Sequence, residues 1–278
     1  MTGFTIVHSV LLLTLLLSLA LAAPASAQDV KFTGAFVQGG LVEGRAAPGS
    51  KVSLDGRPMR VSPQGVFLLG FGRDAAKAEL EIVHPGGWRE TRALEIKKRK
   101  FDIQKIDGLP EAFVTPPPEV EARIKEEGER VGRARLLDDA RTDFLKGFDW
   151  PVGGRVSGVY GSQRILNGKP RAPHWGVDVA APLDTPVLSP APGVVTLAAD
   201  LYFSGWTVIV DHGHGLSSVF MHMTRATARE GQRLARGEEI GRLGGTGRAT
   251  APHLHWGMNL FTTRLDPQLL VPPMPKPE

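Results

Sequence analysis

PVLSPAPGVVTLAADLYFSGWTVIVDHGHGLSSVFMHM, residues 186–223, is the stretch whose texture decides the fold. Short valine-rich runs (Pro186-Val187-Leu188, Gly193 to Leu197 and Trp206 to Val210) alternate with Gly, Pro and Asp-His-Gly turns. Branched apolar runs bounded by turn residues read as short strands. Across the whole chain, 33 glycines and 22 prolines punctuate the sequence too often for long helices. The same texture extends from Trp150 to about residue 268, so an all-β domain of about 120 residues is expected over 150–268.

Working outward, residues 28–100 alternate apolar and polar side chains in short runs: Lys51-Val52-Ser53-Leu54, Met59-Arg60-Val61 and Glu79 to Val83. Turn signals at Pro48-Gly49, Asp55-Gly56, Pro63-Gln64-Gly65 and Pro85-Gly86-Gly87 separate them. A small antiparallel β-sandwich is predicted there. Its histidine, His84, precedes Pro85 in a turn and is expected at the surface. Residues 101–149 form a charged linker. Pro116-Pro117-Pro118 stiffens its middle, and a helix is predicted over 119–146, with Val120, Ile124, Val131 and Leu145 as a broken apolar stripe weakened by Gly128 and Gly132. Residues 269–278 read as a disordered tail.

The first 27 residues carry an apolar run, Val10 to Ala22, followed by Ala25-Ser26-Ala27, a small-x-small cleavage pattern. The run is shorter than the ~20 residues that a membrane-spanning helix requires. A signal peptide over 1–27 is therefore expected, with no integral membrane segment in the mature chain. Export to the periplasm, or secretion to the cell wall, follows. The chain has no cysteine, which excludes disulfides, thiolate ligands and a cysteine nucleophile. Any metal must be held by His, Asp or Glu. A formal charge of +4 is mildly basic, but no basic stripe with interleaved aromatics supports nucleic-acid binding.

Six of the eight histidines fall between residues 174 and 255. In His253-Leu254-His255 a strand would place both imidazoles on one face, roughly 6–7 Å apart. His174 and Asp178 would lie ~13 Å apart on an ideal strand, too far to share one ion. A bend at Gly176, with His174 in a loop and Asp178 opening a strand, would bring them together. Two histidines and a carboxylate are a recurring ligand set for catalytic zinc, and histidines outside the set can position water, take its proton or stabilise an oxyanion. His222 and His253 are the candidates for that work. His212, His214 and Asp211 are assigned to a surface turn without chemistry, and Arg164 to a loop that lines the groove or faces solvent.

Three blocks, HWGVDVAAP (174–182), DHGHGLSSVFMH (211–222) and GRLGGTGRATAPHLHW (241–256), resemble in order and spacing the signatures of lysostaphin-type (LytM-like) peptidoglycan endopeptidases. The resemblance covers about residues 150–268. It implies a β-barrel or sandwich peptidase domain with its site in a groove across a central sheet. It also implies one zinc ion per chain on His174, Asp178 and His255, with His222 and His253 as the catalytic pair. The expected activity is hydrolysis of peptide cross-links in peptidoglycan. The rival expectation is a non-catalytic wall-binding protein, or an activator of a wall amidase, on the same fold. Such relatives lack some of the five residues, all of which are present here.

Overall fold

The computed structural model describes residues 30–274. The expected signal segment and residues 275–278 of the expected tail lie outside the described residues. No described helix is long and apolar enough to cross a membrane.

The alternation over residues 31–95 produces two antiparallel sheets. The first contains β1 (Lys31–Gly34), β2 (Leu41–Arg45) and β5 (Val66–Gly70), in the order β1-β2-β5. The second contains β3 (Lys51–Leu54), β4 (Arg57–Met59), β6 (Lys77–Val83) and β7 (Arg89–Glu95), in the order β4-β3-β6-β7. Val52, Leu54, Leu80 and Ile82 from one sheet share a core with Val42, Phe67 and Leu69 from the other. His84 departs from its expected surface position. It is buried, its Nε2 lies 3.1 Å from Glu90 Oε2, and its ring stacks on Trp88. The hairpin at Pro85-Gly86-Gly87 returns Trp88 over the imidazole, a contact that local turn chemistry cannot reveal.

The stretch expected as a linker is partly built into the fold. Strand β8 (Ile103–Ile106) pairs in parallel with β10 (Gln163–Leu166), which also pairs with the short β11 (Lys169–Pro170). Helix α1 (Glu111–Val114) follows, then α2 (Glu121–Ala134). The predicted helix over 119–146 therefore ends twelve residues early. Asp139 is one reason: its carboxylate accepts from Arg141 N at 2.9 Å and its carbonyl accepts from His214 N at 3.1 Å. An aspartate that captures nearby amides offers the backbone an alternative to the helix. Residues 269–274 also differ from a loose tail, since Trp150 Nε1 donates to Pro272 O and Leu270, Val271 and Met274 pack on the core.

The main sheet comprises β9 (Arg155–Gly158), β12 (Val177–Ala180), β14 (Gly193–Leu201), β15 (Gly205–Asp211), β16 (Leu216–Met223), β18 (Arg233–Leu234) and β20 (Leu254–Leu260). Its order is β18-β14-β15-β16-β20-β12-β9, and β21 (Thr263–Leu265) pairs with the far half of β20. The expected all-β class holds, but the barrel does not close. Closure requires the terminal strands to pair, and β18 and β9 remain at opposite edges. A small sheet of β13 (Pro186–Leu188), β17 (Arg225–Ala226) and β19 (Glu239–Arg242) forms beside it.

Period-two alternation divides the main sheet into two faces. Val177, Val179, Val208, Val210, Phe220, Leu254, Trp256 and Met258 join the core that continues into the N-terminal sheets. Leu197, Ala199, Leu201, Ile209 and Val219 point the other way and receive Val131 and Ala134 of α2. Trp256 is completely buried and meets Trp150 edge-on at 5.8 Å. It anchors the core directly behind the histidine that precedes it.

Candidate functional site

Strand register sets the site. β12 and β20 are antiparallel neighbours, and Asp178 lies directly opposite His255. Directly opposed residues share a face, so core-facing Leu254 and Trp256 force His255 outward toward Asp178. His174 arrives from the loop before β12, with Gly176 between the loop and the strand. A Cβ at Gly176 would lie 2.4 Å from Trp256 O and 2.8 Å from His255 Nε2. Glycine is required there because of this close approach. Gly158 on β9 does the same beneath Asp178, where a Cβ would fall 2.5 Å from Oδ2.

The result is a tight triangle. His174 Nε2, Asp178 Oδ1 and His255 Nδ1 are each 2.9 Å from the other two. All three residues are buried. His174 Nδ1 lies 3.0 Å from Val159 O. A carbonyl only accepts, so the proton sits on Nδ1 and Nε2 presents a lone pair. Burial opposes ionisation of Asp178, but its close contacts with the ring nitrogens of His174 and His255 outweigh burial and hold its carboxyl well below the usual range. Burial pushes His255 down to about 4. Lone pairs and a carboxylate converging on one point repel each other unless a cation sits between them. Donor separations of about 3 Å suit a set bound at about 2 Å. These three residues could hold a metal ion.

His222 and His253 flank the triangle, their rings 4.8 Å apart. His222 Nδ1 donates to Thr246 O at 2.8 Å, and His253 Nδ1 donates to Ala251 O at 2.8 Å. Each therefore keeps Nε2 as its open nitrogen, and His253 Nε2 is 3.8 Å from Asp178 Oδ1. Burial, reinforced by the neighbouring imidazoles His253 and His255, pushes His222 down to about 3. Simple alternation does not account for the position of His222. Met221 opposes His255 and so occupies the groove face, which would send residue 222 to the core. Instead His222 adopts φ 66°, beside a register shift between β15 and β16, and both side chains line the same cavity. The left-handed turn of the backbone keeps the imidazole in the site.

All five sequence-predicted residues are thus brought together. Arg164 proves to be part of the cluster, because its Nη2 donates to Asp178 Oδ2 at 2.7 Å. This pins one carboxylate oxygen and leaves Oδ1 for the triangle. The only sequence signal was an arginine in the loop ahead of His174. The turn assignment of His212, His214 and Asp211 needs correction: all three are buried. His212 is held by Pro192 O and Ser218 Oγ, and Asp211 forms an ion pair with Arg141. None of them approaches the triangle.

Comparison with known proteins agrees with this geometry. Residues 172–267 match the family model described as Peptidase family M23, which bears out the resemblance drawn from the motifs. The chain is 36% identical over 103 residues to peptidoglycan DD-endopeptidase ShyA of Vibrio cholerae, covering 37% of this chain and 24% of that protein. It is 35% identical over 103 residues to DD-carboxypeptidase/endopeptidase Mpg of Neisseria meningitidis, with the same two coverages of 37% and 24%. The chain thus spans about a quarter of the length of these curated relatives. A crystal structure of a candidate peptidase M23 from Pseudomonas aeruginosa aligns with a TM-score of 0.64 at 28% identity, covering 84% of this chain and 93% of that one. That alignment extends well beyond the 96-residue family segment and so includes much of the fold N-terminal to it.

Proposed function

We propose that this chain is an exported zinc metalloendopeptidase that hydrolyses peptide cross-links of peptidoglycan. The observation that carries the reading is the triangle of His174 Nε2, Asp178 Oδ1 and His255 Nδ1, 2.9 Å on each side, with two further imidazoles turned toward it. The peptidase family match and the endopeptidase names of the relatives support the reaction class. The signal-like segment and the wall-directed relatives support a location outside the cytoplasm, in the periplasm.

His174, Asp178 and His255 would hold one zinc ion. Zinc, when bound, supplies a Lewis acid that polarises a peptide carbonyl and lowers the pKa of water. The chain's own residues do the rest. Because their Nδ1 protons are committed to Thr246 O and Ala251 O, His222 and His253 each offer Nε2 as a proton acceptor. The depressed pKa of His222 keeps that nitrogen unprotonated at neutral pH. One Nε2 takes the proton of the attacking water and, as the imidazolium so formed, gives it to the leaving amine, while the second imidazole, its ring 4.8 Å away, orients that water. Arg164 fixes the carboxylate plane of Asp178. With all five side chains present, the geometry supports hydrolysis over a purely binding role.

The test is His255→Ala. Digestion of purified sacculi should fall by about a thousandfold or more, and bound zinc, measured by plasma mass spectrometry, should drop from one per chain toward zero. Retention of both zinc and cross-link hydrolysis would overturn the assignment.

A further inference from the structure

Beside the triangle lies a cavity of about 550 Å³ whose walls include His174, His222 and His255. The same walls carry Arg135, Arg248 and Arg264. We propose that these three arginines form an anion subsite that takes a free carboxylate of the peptide substrate. The inference rests on the peptidase reading above and names the chemical class of its substrate.

Three observations carry it. First, these guanidiniums line the cavity with no ion-pair partner among the described residues, Arg135 buried and Arg248 and Arg264 half-buried. Arg135 is only 9% exposed and its Nε has no hydrogen-bond partner. Arg264 spends Nη1 on the amide oxygen of Asn259 at 2.7 Å, and Arg248 lies 4.8 Å over the Phe203 ring and reaches only the Phe113 carbonyl. Among the described residues no carboxylate acts on any of the three. Burial, together with the field of Arg264, pushes Arg135 down to about 9.

Second, the acids nearest the cavity are already engaged. Glu127 accepts from Arg123 at 2.6 Å and from Tyr202 N at 2.8 Å. Asp178 is taken by Arg164 and two imidazoles. Third, the fold does pair other arginines with buried carboxylates: Arg99 with Asp266 and Arg141 with Asp211. A buried charge without a partner is strongly unfavourable, so the exception beside the triangle calls for an anion from outside. The guanidinium fork matches a carboxylate in two-point geometry. An uncharged glycine bridge would leave the three charges unpaired. A cross-linked peptide bearing a free carboxylate near the scissile bond would neutralise them.

The carboxylate could belong to a chain terminus or to an acidic side chain, and amidation separates the two. Calorimetry on the zinc-loaded His253→Ala chain would compare a cross-linked peptide dimer with all carboxylates free, the same dimer amidated at its chain termini, and the same dimer amidated at its side chains. One amidation should weaken binding by about ten- to a hundredfold, and that one identifies the source. Adding Arg135→Gln should bring the ratio of free to amidated affinities close to one. Arg264→Gln, made separately, guards against a folding defect in the first variant. The exposed Arg130→Gln on α2 should keep the full ratio. Equal binding of all three dimers, or an undiminished ratio in both arginine variants, would overturn the subsite. Cleavage by the wild-type chain is scored separately. A carboxylate preference without any cleavage removes the peptidase reading and leaves the subsite. Cleavage without preference removes only the subsite.

Discussion

The turn that leads into β16 and the far end of that strand carry buried histidines in opposite chemical conditions. In the turn His212 has both nitrogens satisfied by the fold, Nδ1 donating to Pro192 O and Nε2 accepting from Ser218 Oγ. At the far end His222 has Nδ1 fixed by Thr246 O, and Nε2 has no partner among the described residues. Burial depresses both, to about 4 and about 3 respectively. Neither burial nor pKa therefore separates the structural histidine from the chemical one. The difference is the open lone pair and the ionised, imidazole-rich surroundings it faces.

The largest expected effect tests that difference directly. His222→Ala should lower kcat on peptidoglycan by about 10²–10⁴-fold, the usual worth of a positioned acid or base. Its zinc content should stay at one per chain. His212→Ala should leave kcat within a few-fold and instead lose about 2–4 kcal/mol of unfolding free energy, because it strips partners from a buried carbonyl and hydroxyl. If His212→Ala abolished turnover while the fold remained intact, the contrast would fail.

The next effect concerns pH. Burial pushes His212 in the folded chain down to about 4, whereas an unfolded histidine has a pKa of about 6.5. Its folded pKa is depressed, so its contribution is fully present above about pH 6.5. It is lost as pH falls toward 4, by as much as about 3 kcal/mol. Urea denaturation across that window should show wild-type stability falling with acidity, and His212→Gln should flatten part of the slope. An unchanged slope would mean that the imidazole stays solvated.

A smaller effect probes the backbone beneath the triangle. Gly176→Ala drives a methyl against Trp256 O and the His255 ring. It should cost about 1–3 kcal/mol of stability through overpacking. Zinc affinity, followed by competition with a chromophoric chelator, should weaken as His255 shifts. Unaltered affinity would show that the ring can give way without leaving the metal.

Much of the site was legible because the residue types are informative in combination. His174, Asp178, His222, His253 and His255 were all identified from spacing and motif resemblance, without a coordinate. The His-x-His pair follows from strand alternation, which puts residues 253 and 255 on one side. His222 illustrates the limit. Its neighbours Met221 and His255 are matched across β16 and β20, so alternation alone would have buried it on the wrong face. Only the left-handed backbone at His222 keeps it in the groove. The misplaced helix end near Ala134 and the buried His84 fail for a related reason, since the Asp139 carbonyl is taken by the distant His214 N and the His84 ring by Trp88 and Glu90 across a hairpin, contacts that periodicity does not encode.

By itself the sequence determined the all-β class, the cysteine-free donor set and the identity of five side chains. The class and the donor set are carried by local composition and period, and the five side chains by residue type and spacing together with the motif resemblance. Tertiary structure alone decided that the sheet stays open, that Arg164 grips Asp178, and that Arg135, Arg248 and Arg264 line one cavity without a carboxylate partner among the described residues. Those features depend on which distant segments meet. Solvation of a charge is a property of the space around it, and the chain acquires that property only when it folds.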